Sequence, residues 1–178
     1  LSVVQKKFIT EQFENDKAVA EINLYNRYLF FVNLNDKSIQ NKKEIARVRG
    51  DRIISFLNAR KQESITVFHS SFDNDTVLAF LEGMVLGNYK FTKYYKESEK
   101  KESSVKNIQL FSKQLDENSI IELNNTAEAV YLCRNLANEP FSGLNALELT
   151  GKMKDASETS GFKLTVYNKE KIEELGMG

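Results

Sequence analysis

The chain has 178 residues, enough for one ordinary domain or for a domain with part of another. Its 25 lysines and arginines balance 25 aspartates and glutamates, which argues against a dedicated nucleic-acid binder and against an electrostatic membrane anchor. The longest apolar runs, such as residues 28–32, fall far short of the roughly 20 residues of a membrane helix, and residues 1–7 lack the apolar core of a signal peptide. Cys133 is the only cysteine, which excludes an internal disulfide and favours a reducing cytoplasm.

The first half of the chain predicts three strands and a helix, whereas residues 1–17 give no clear pattern. Apolar residues at helical spacing indicate the helix, and β-branched or continuous apolar runs indicate the strands. The elements are strands at 18–24 and 28–34 joined by a turn at 25–27, a helix over 42–59 and a strand at 64–68.

Capping residues and glycines mark the elements of the second half. Asp73 or Asp75 can cap a helix that ends near Leu86 before Gly87, and two Asn-x-x-Glu patterns open further helices at Asn125 and Asn145. These two helices should end at Asn138 and before Gly161. The remaining predicted segments are an exposed loop at 96–106, strands at 107–111 and 162–167, and a last helix over 168–175 that Gly176 ends. Strands that alternate with helices predict an α/β fold.

His69 and Cys133 are the only residues of their kinds, and each has a functional and a structural interpretation. A strand-end histidine titrates near neutrality and could serve as a general base, with Cys133 as its nucleophile. However, His69 has no sequence-local partner, so an ordinary hydrogen bond is the better interpretation. Cys133 shares three-residue spacing with Val130 and Leu136, so we expect it to be a small apolar core residue.

Three other patterns favour structure over chemistry. The run at 73–75 begins like a calcium loop but lacks the required glycine and glutamate, so helix capping explains its acids better. Gly83 and Gly87 are expected to let their helix approach a neighbour and not to cradle a phosphate. The lysines and aromatics of 89–106 could bind a single strand, yet three interspersed glutamates favour a solvated loop with packed aromatics.

Two segments go beyond generic patterns. The segment LEGMVLGNYKFTKY at 81–94 resembles a helix end of the leucyl aminopeptidase (cytosol aminopeptidase) family, and RNLANEP at 134–140 is similar to a second segment of that family. The same register continues through Leu144, Glu148 and Leu149, through 162–167, and into EELGMG at 173–178, which resembles the family's Gly-Met-Gly turn. Ser142 departs from the family's usual asparagine.

The resemblance implies a macro-domain-like three-layer fold with a central mixed sheet over residues 1–124. Residues 125–178 would be a helical linker with the truncated start of the catalytic domain, its first helix-strand-helix. Because the family's ligand-bearing motifs follow the Gly-Met-Gly turn, no catalytic, cofactor-binding or metal residue is expected here. The segment after Asn125 would expose part of its apolar face, so we expect weak self-association or a mobile C-terminal end.

For the parent protein, the resemblance implies a cytoplasmic, hexameric metallo-aminopeptidase. Two divalent cations, zinc or manganese, would activate a water that removes N-terminal residues from peptide substrates. The 178 residues would be inactive and would serve assembly and access to the active site. The alternative is a free-standing module that binds ADP-ribose or a related nucleotide, although its candidate loop, residues 32–35, lacks the glycine common in the family. Membrane or nucleic-acid partners are not expected.

Overall fold

The structure is a computed structural model that describes residues 1–35, 41–69, 72–97 and 102–177. Within those ranges, no helix combines the length and the apolar composition needed to cross a bilayer. In chain order the elements are α1 (Val3–Glu14), β1 (Val19–Asn23), β2 (Tyr28–Val32), α2 (Lys42–Ala59), β3 (Ser64–Phe68), α3 (Asn74–Gly87), β4 (Asn107–Phe111), α4 (Glu117–Asn138), α5 (Ala146–Ser160) and α6 (Lys169–Glu174). The predicted α/β class is confirmed.

Contacts divide the chain into two compact units, Leu1–Tyr131 and Leu132–Gly178. The division falls inside α4, and so does the boundary after residue 124 that the sequence predicts. A change of contacts within one continuous helix does not mark a domain border, so that domain assignment stays a prediction.

A tight antiparallel hairpin forms from β1 and β2, with Val19 opposite Val32 and Asn23 opposite Tyr28. At its tip Tyr25 has a φ of 65°, in the left-handed region that glycine usually occupies. The side-chain oxygen of Asn23 accepts a hydrogen bond from the Tyr25 N–H at 2.8 Å, which holds this conformation. The turn expected at 25–27 is confirmed.

The second pair of strands, β3 and β4, runs parallel, with Ser64 beside Asn107 and Phe68 beside Phe111. Alternation places Ile65, Val67, Ile108 and Leu110 against the core of the first unit. The opposite face carries Phe68 and Phe111, which are 71% and 64% exposed with ring centroids 5.6 Å apart. The described residues therefore cover this pair on one face only.

The core of the first unit lies where α2 packs on α3. Ile54 and Met84 are its largest fully buried side chains. Glycines make the close approach possible, because a Cβ on Gly50 would overlap the Phe80 carbonyl oxygen and a Cβ on Gly83 would overlap the Arg47 carbonyl. The predicted packing role of Gly83 is thus confirmed.

A polar clasp around Asn58, at the end of α2, fixes the segment that leads into β4. The Asn58 side-chain oxygen accepts the N–H groups of Ser104 at 2.6 Å and Val105 at 3.2 Å. Its Nδ2 donates to the side-chain oxygen of Asn88 at 2.9 Å, and Asn88 Nδ2 donates to the Val105 carbonyl at 3.0 Å. Buried Val105 is therefore tied to the ends of both core helices.

Two predicted boundaries in the first unit need correction, and residues 1–17, which show no clear pattern in the sequence, have a defined structure. Residues 1–17 contain α1, which a Ser2–Gln5 capping box opens. The helix expected to begin at Asn125 begins at Glu117, where the Asp116 carboxylate accepts the Ser119 N–H at 2.8 Å. The loop expected at 96–106 is only partly exposed because Val105 is buried, and residues 98–101 lie outside the described residues.

Gly87 also differs from its predicted role as a helix stop. It is the last residue of α3, and Asn88 caps the helix in a right-handed conformation. A Cβ on Gly87 would collide with the Asp51 side chain of α2. A small residue is therefore needed at this position because α2 lies against it, which confirms the predicted role of Gly87 in close helix packing.

The second unit has well-formed helix ends and no buried residue among those described. Asn145 and Glu148 form the predicted capping box of α5, and Gly161 ends this helix with a φ of 73°. The strand expected at 162–167 is absent there, because no described strand pairs with this segment. Ten large apolar side chains are exposed: Leu132, Phe141, Leu147, Leu149, Met153, Phe162, Val166, Tyr167, Leu175 and Met177. The expected exposure of an apolar face is confirmed.

Candidate functional site

The carboxyl ends of β3 and β4 bring polar side chains together, at the edge where open α/β sheets usually bind ligands. His69 follows β3, Ser112 follows β4, and Asn74 lies in the first turn of α3. His69 Nε2 lies 2.6 Å from Ser112 Oγ, and Asn74 Nδ2 donates to the Gln114 carbonyl at 3.2 Å.

Hydrogen bonding decides which way the proton points between His69 and Ser112. Ser112 Oγ accepts the N–H groups of Gln114 and Leu115, each at 3.1 Å, so both of its lone pairs are in use. This occupancy favours the Ser112 hydroxyl as the donor to His69 Nε2. His69 Nδ1 is buried and has no hydrogen-bond partner among the residues that the structure describes.

This geometry does not make a hydrolytic pair. A serine–histidine nucleophile needs a third group that orients the histidine, and the described residues place no acceptor at Nδ1. Ser112 Oγ is also tied to two backbone amides. His69 therefore joins the ends of two strands by an ordinary hydrogen bond, as expected. Sequence reasoning missed Ser112, although the matched ends of the two predicted strands were a signal for it.

The acidic run at 73–75 caps α3 and pairs with α2. Asp73 accepts from the Thr76 N–H at 2.9 Å and from its hydroxyl at 2.8 Å, and these bonds hold the pKa of the Asp73 carboxyl below its usual value. Asp75 Oδ2 lies 2.6 Å from Lys43 Nζ. Neither carboxylate is arranged as part of a calcium loop.

Two backbone amides of the loop at 32–35 already have acceptors within the protein. The Asn33 N–H donates to the Ala18 carbonyl at 2.9 Å, and the Asn35 N–H donates to the Asn33 side-chain oxygen at 2.9 Å. Leu34 is buried against Ile45 and Ala79. Because the amides of Asn33 and Asn35 are occupied and the Leu34 side chain is buried in the core, this loop gives no support to a nucleotide-binding role.

Cys133 is exposed, so its predicted place in a core is wrong. Helical spacing shows which residues share a face, but α4 buries only Ala127, and the face that holds Cys133 is left uncovered by the described residues. In the segment at 89–106, Tyr89 packs edge-on against Tyr131, and Lys93 lies over the Tyr94 ring. The expected packing holds for Tyr89 and Phe91, which are partly buried, and is wrong for Tyr94 and Tyr95, which are 55% and 57% exposed.

The metal pair implied by the resemblance does not fit the described residues. Among them, no group of three or more histidine, cysteine, aspartate or glutamate side chains could hold a metal ion. The carboxylates of Asp73 and Asp116 are already used as helix caps. No chemical step through a metal is assigned to this chain.

Comparison of the sequence with curated proteins finds consistent relatives. The chain is 33% identical over 132 residues to a "Probable cytosol aminopeptidase" of Clostridium tetani (strain Massachusetts / E88), a match that covers 72% of this chain and 27% of that protein. A protein of the same description from Aquifex aeolicus (strain VF5) is 27% identical over 152 residues, or 84% of this chain and 30% of that protein.

The chain is a relative of the cytosol aminopeptidases. This confirms the resemblance seen in the segments at 81–94 and 134–140. No protein-family model matches the chain. It spans under a third of the length of these two aminopeptidases.

Solved structures agree on the fold. A mutant of tomato leucine aminopeptidase superposes with a TM-score of 0.79 at 18% identity, over 97% of this chain and 36% of that one. The bottromycin maturation enzyme BotP in complex with Mn gives a TM-score of 0.70 at 19% identity, over 89% and 34% of the two chains. The chain therefore has the fold of the leucine aminopeptidase N-terminal domain.

Proposed function

We propose that this chain is the non-catalytic N-terminal portion of a cytoplasmic, metal-dependent leucyl aminopeptidase. The observation that carries the proposal is the sequence similarity to cytosol aminopeptidases over 72% of this chain but only 27% of the relative. In the parent, peptides would lose N-terminal residues at a pair of zinc or manganese ions held elsewhere.

Within that parent, the 178 residues would contribute to hexamer assembly and to access to the active site. Two apolar surfaces support this role. Phe68 and Phe111 lie exposed on the uncovered face of the parallel strands, and the second unit has no buried residue among those described. Surfaces of this kind are typical of chains that pack against further protein.

Activity measurements test the proposal. The parent open reading frame should hydrolyse L-leucine p-nitroanilide with manganese and lose that activity in a chelator, whereas the 178-residue chain should give no turnover. Turnover by the chain alone would overturn the non-catalytic assignment. An inactive but folded, metal-loaded parent would overturn the aminopeptidase assignment.

A second measurement addresses assembly. Removing residues 1–124 from the parent should lower its mass in light scattering from a hexamer to smaller species. A truncated protein that remains hexameric would show that this region is not needed for assembly.

A further inference from the structure

The first unit contains a cavity of about 350 Å³ between α3, β4 and α4. It arises because α4 covers β4 loosely and buries only Ala127. This volume is at the lower end of the range of small-molecule sites, roughly 300–1,000 Å³. It suits a compact molecule of a few carbon atoms.

The floor of the cavity is apolar. Leu81 and Val85 of α3 line it together with Ile108 of β4. Leu81 is buried, and the other two are partly buried. A branched hydrocarbon group seated on these side chains would remove their apolar surface from water, which is favourable.

The rim is polar. Lys106, Asn107 and Asn124 line the cavity and are exposed. Their side chains have no hydrogen-bond or ion-pair partner in the described ranges, in contrast to Asn58 and Asn88 nearby. Lys106 carries the only full charge among the described lining residues. Asn107 lies on the face of β4 that carries Phe111, opposite Ile108, so the rim presents one cation and the donating amide of Asn124.

We propose that this cavity binds a small branched apolar carboxylate, a ligand class that goes beyond the proposed function of the chain. The hydrocarbon part lies on Leu81, Val85 and Ile108. The carboxylate accepts from the Lys106 ammonium in a charge-assisted hydrogen bond, and from the amide group of Asn124. An apolar floor with a few convergent polar groups is the usual composition of a small-molecule site.

Titration of the 178-residue chain with 4-methylpentanoate, followed by NMR of the asparagine side-chain amides, tests the proposal. A saturable shift of the Asn124 side-chain amide is expected. Acetate, which lacks the apolar part, and 4-methylpentanamide, which lacks the charge, should each bind at least about tenfold more weakly. L-Leucine is a further probe. Binding of L-leucine as tight as that of 4-methylpentanoate indicates an amino-acid ligand, whereas weaker binding of L-leucine indicates a simple carboxylate ligand.

Lys106→Met is the decisive variant, since it removes the charge from an exposed position while keeping a similar length. It should weaken 4-methylpentanoate binding at least about tenfold, whereas Lys113→Met, which lies outside the cavity, should leave it unchanged. Equal thermal stability of the two variants shows that the fold is retained. Shifts that do not saturate, or unaltered binding by Lys106→Met, would overturn the proposal. Either result leaves the aminopeptidase assignment untouched, because that rests on separate assays.

Discussion

Asp73 stabilises the start of α3 through its ionised carboxylate. Two hydrogen bonds from Thr76 lower the pKa of the Asp73 carboxyl in the folded protein below its ordinary value of 3.8. The stabilisation is therefore complete at a pH above 3.8, and it is lost as the pH falls through the lower pKa of the folded protein. Asp73→Asn keeps a capping oxygen but cannot titrate. Thermal melts between about pH 6 and pH 2 should show a smaller acid-dependent fall in Tm for the variant. Parallel pH profiles would contradict this assignment.

Gly83 and Gly151 form a matched pair for testing the close helix approach. Gly83→Ala places a methyl group on the Arg47 carbonyl, whereas a Cβ on Gly151, in exposed α5, meets nothing within 4 Å. We expect Gly83→Ala to lower the free energy of unfolding by at least about 2 kcal/mol, because the backbones must separate. Gly151→Ala should be neutral or stabilise by up to about 1 kcal/mol. Urea unfolding measures both, and equal effects would rule out the tight contact.

Single residues were predictable from sequence where their role is local. The capping functions of Asn145 and the αL position of Gly161 follow from short motifs. The exposure of Cys133 could not be read from its helical spacing, because burial depends on whether another element covers that face. His69 and Ser112 are 43 residues apart in the sequence. Their hydrogen bond could be predicted only with the parallel pairing of β3 with β4 already known.

At the scale of elements, the Asn58 clasp joins α2, α3 and the entry to β4. Asn58→Ala leaves the N–H groups of Ser104 and Val105 without their acceptor, and each unsatisfied buried group costs about 1–3 kcal/mol. We expect the variant to lose about 2–3 kcal/mol of unfolding free energy and to expose residues 102–106 to faster hydrogen exchange.

Asn125→Ala is the control for that variant. Asn125 lies in the middle of α4 and not at its start, so alanine should be neutral there or slightly favourable for the helix. A loss comparable to that of Asn58→Ala would restore Asn125 as a helix cap and contradict the observed start of α4.

Elements with strong internal patterns were predicted well. The bounds of α2, β3 and β4 match those expected from periodicity and β-branched runs. The start of α4 was missed because the Asn125–Glu128 pattern resembles a capping box, although Asp116 and the apolar Ile120, Leu123 and Ala127 were a signal for an earlier start. The prediction of a strand at 162–167 was wrong because a strand needs a hydrogen-bonding partner outside its own segment.

At the scale of the whole molecule, the exposed apolar side chains of the second unit should cause weak self-association. Phe141 and Leu147 are each 84% exposed. Light scattering of the 178-residue chain should show a mass that rises with concentration, and the double variant Phe141→Ser, Leu147→Ser should reduce that rise. Tyr25→Ser, which removes an exposed aromatic from the first unit, should not. A chain that stays monomeric at all concentrations would contradict the prediction.

The parallel pairing of β3 with β4 has a consequence for how the chain is made. Ser64 pairs with Asn107, so β3 leaves the ribosome before the strand that completes its ladder has been synthesised. At about 5–20 residues per second, the intervening residues take roughly 2 to 9 seconds. The β1–β2 hairpin, whose strands are adjacent, can close at once. During translation β3 therefore waits with an open hydrogen-bonding edge, and that interval is when the nascent chain is most vulnerable to mispairing.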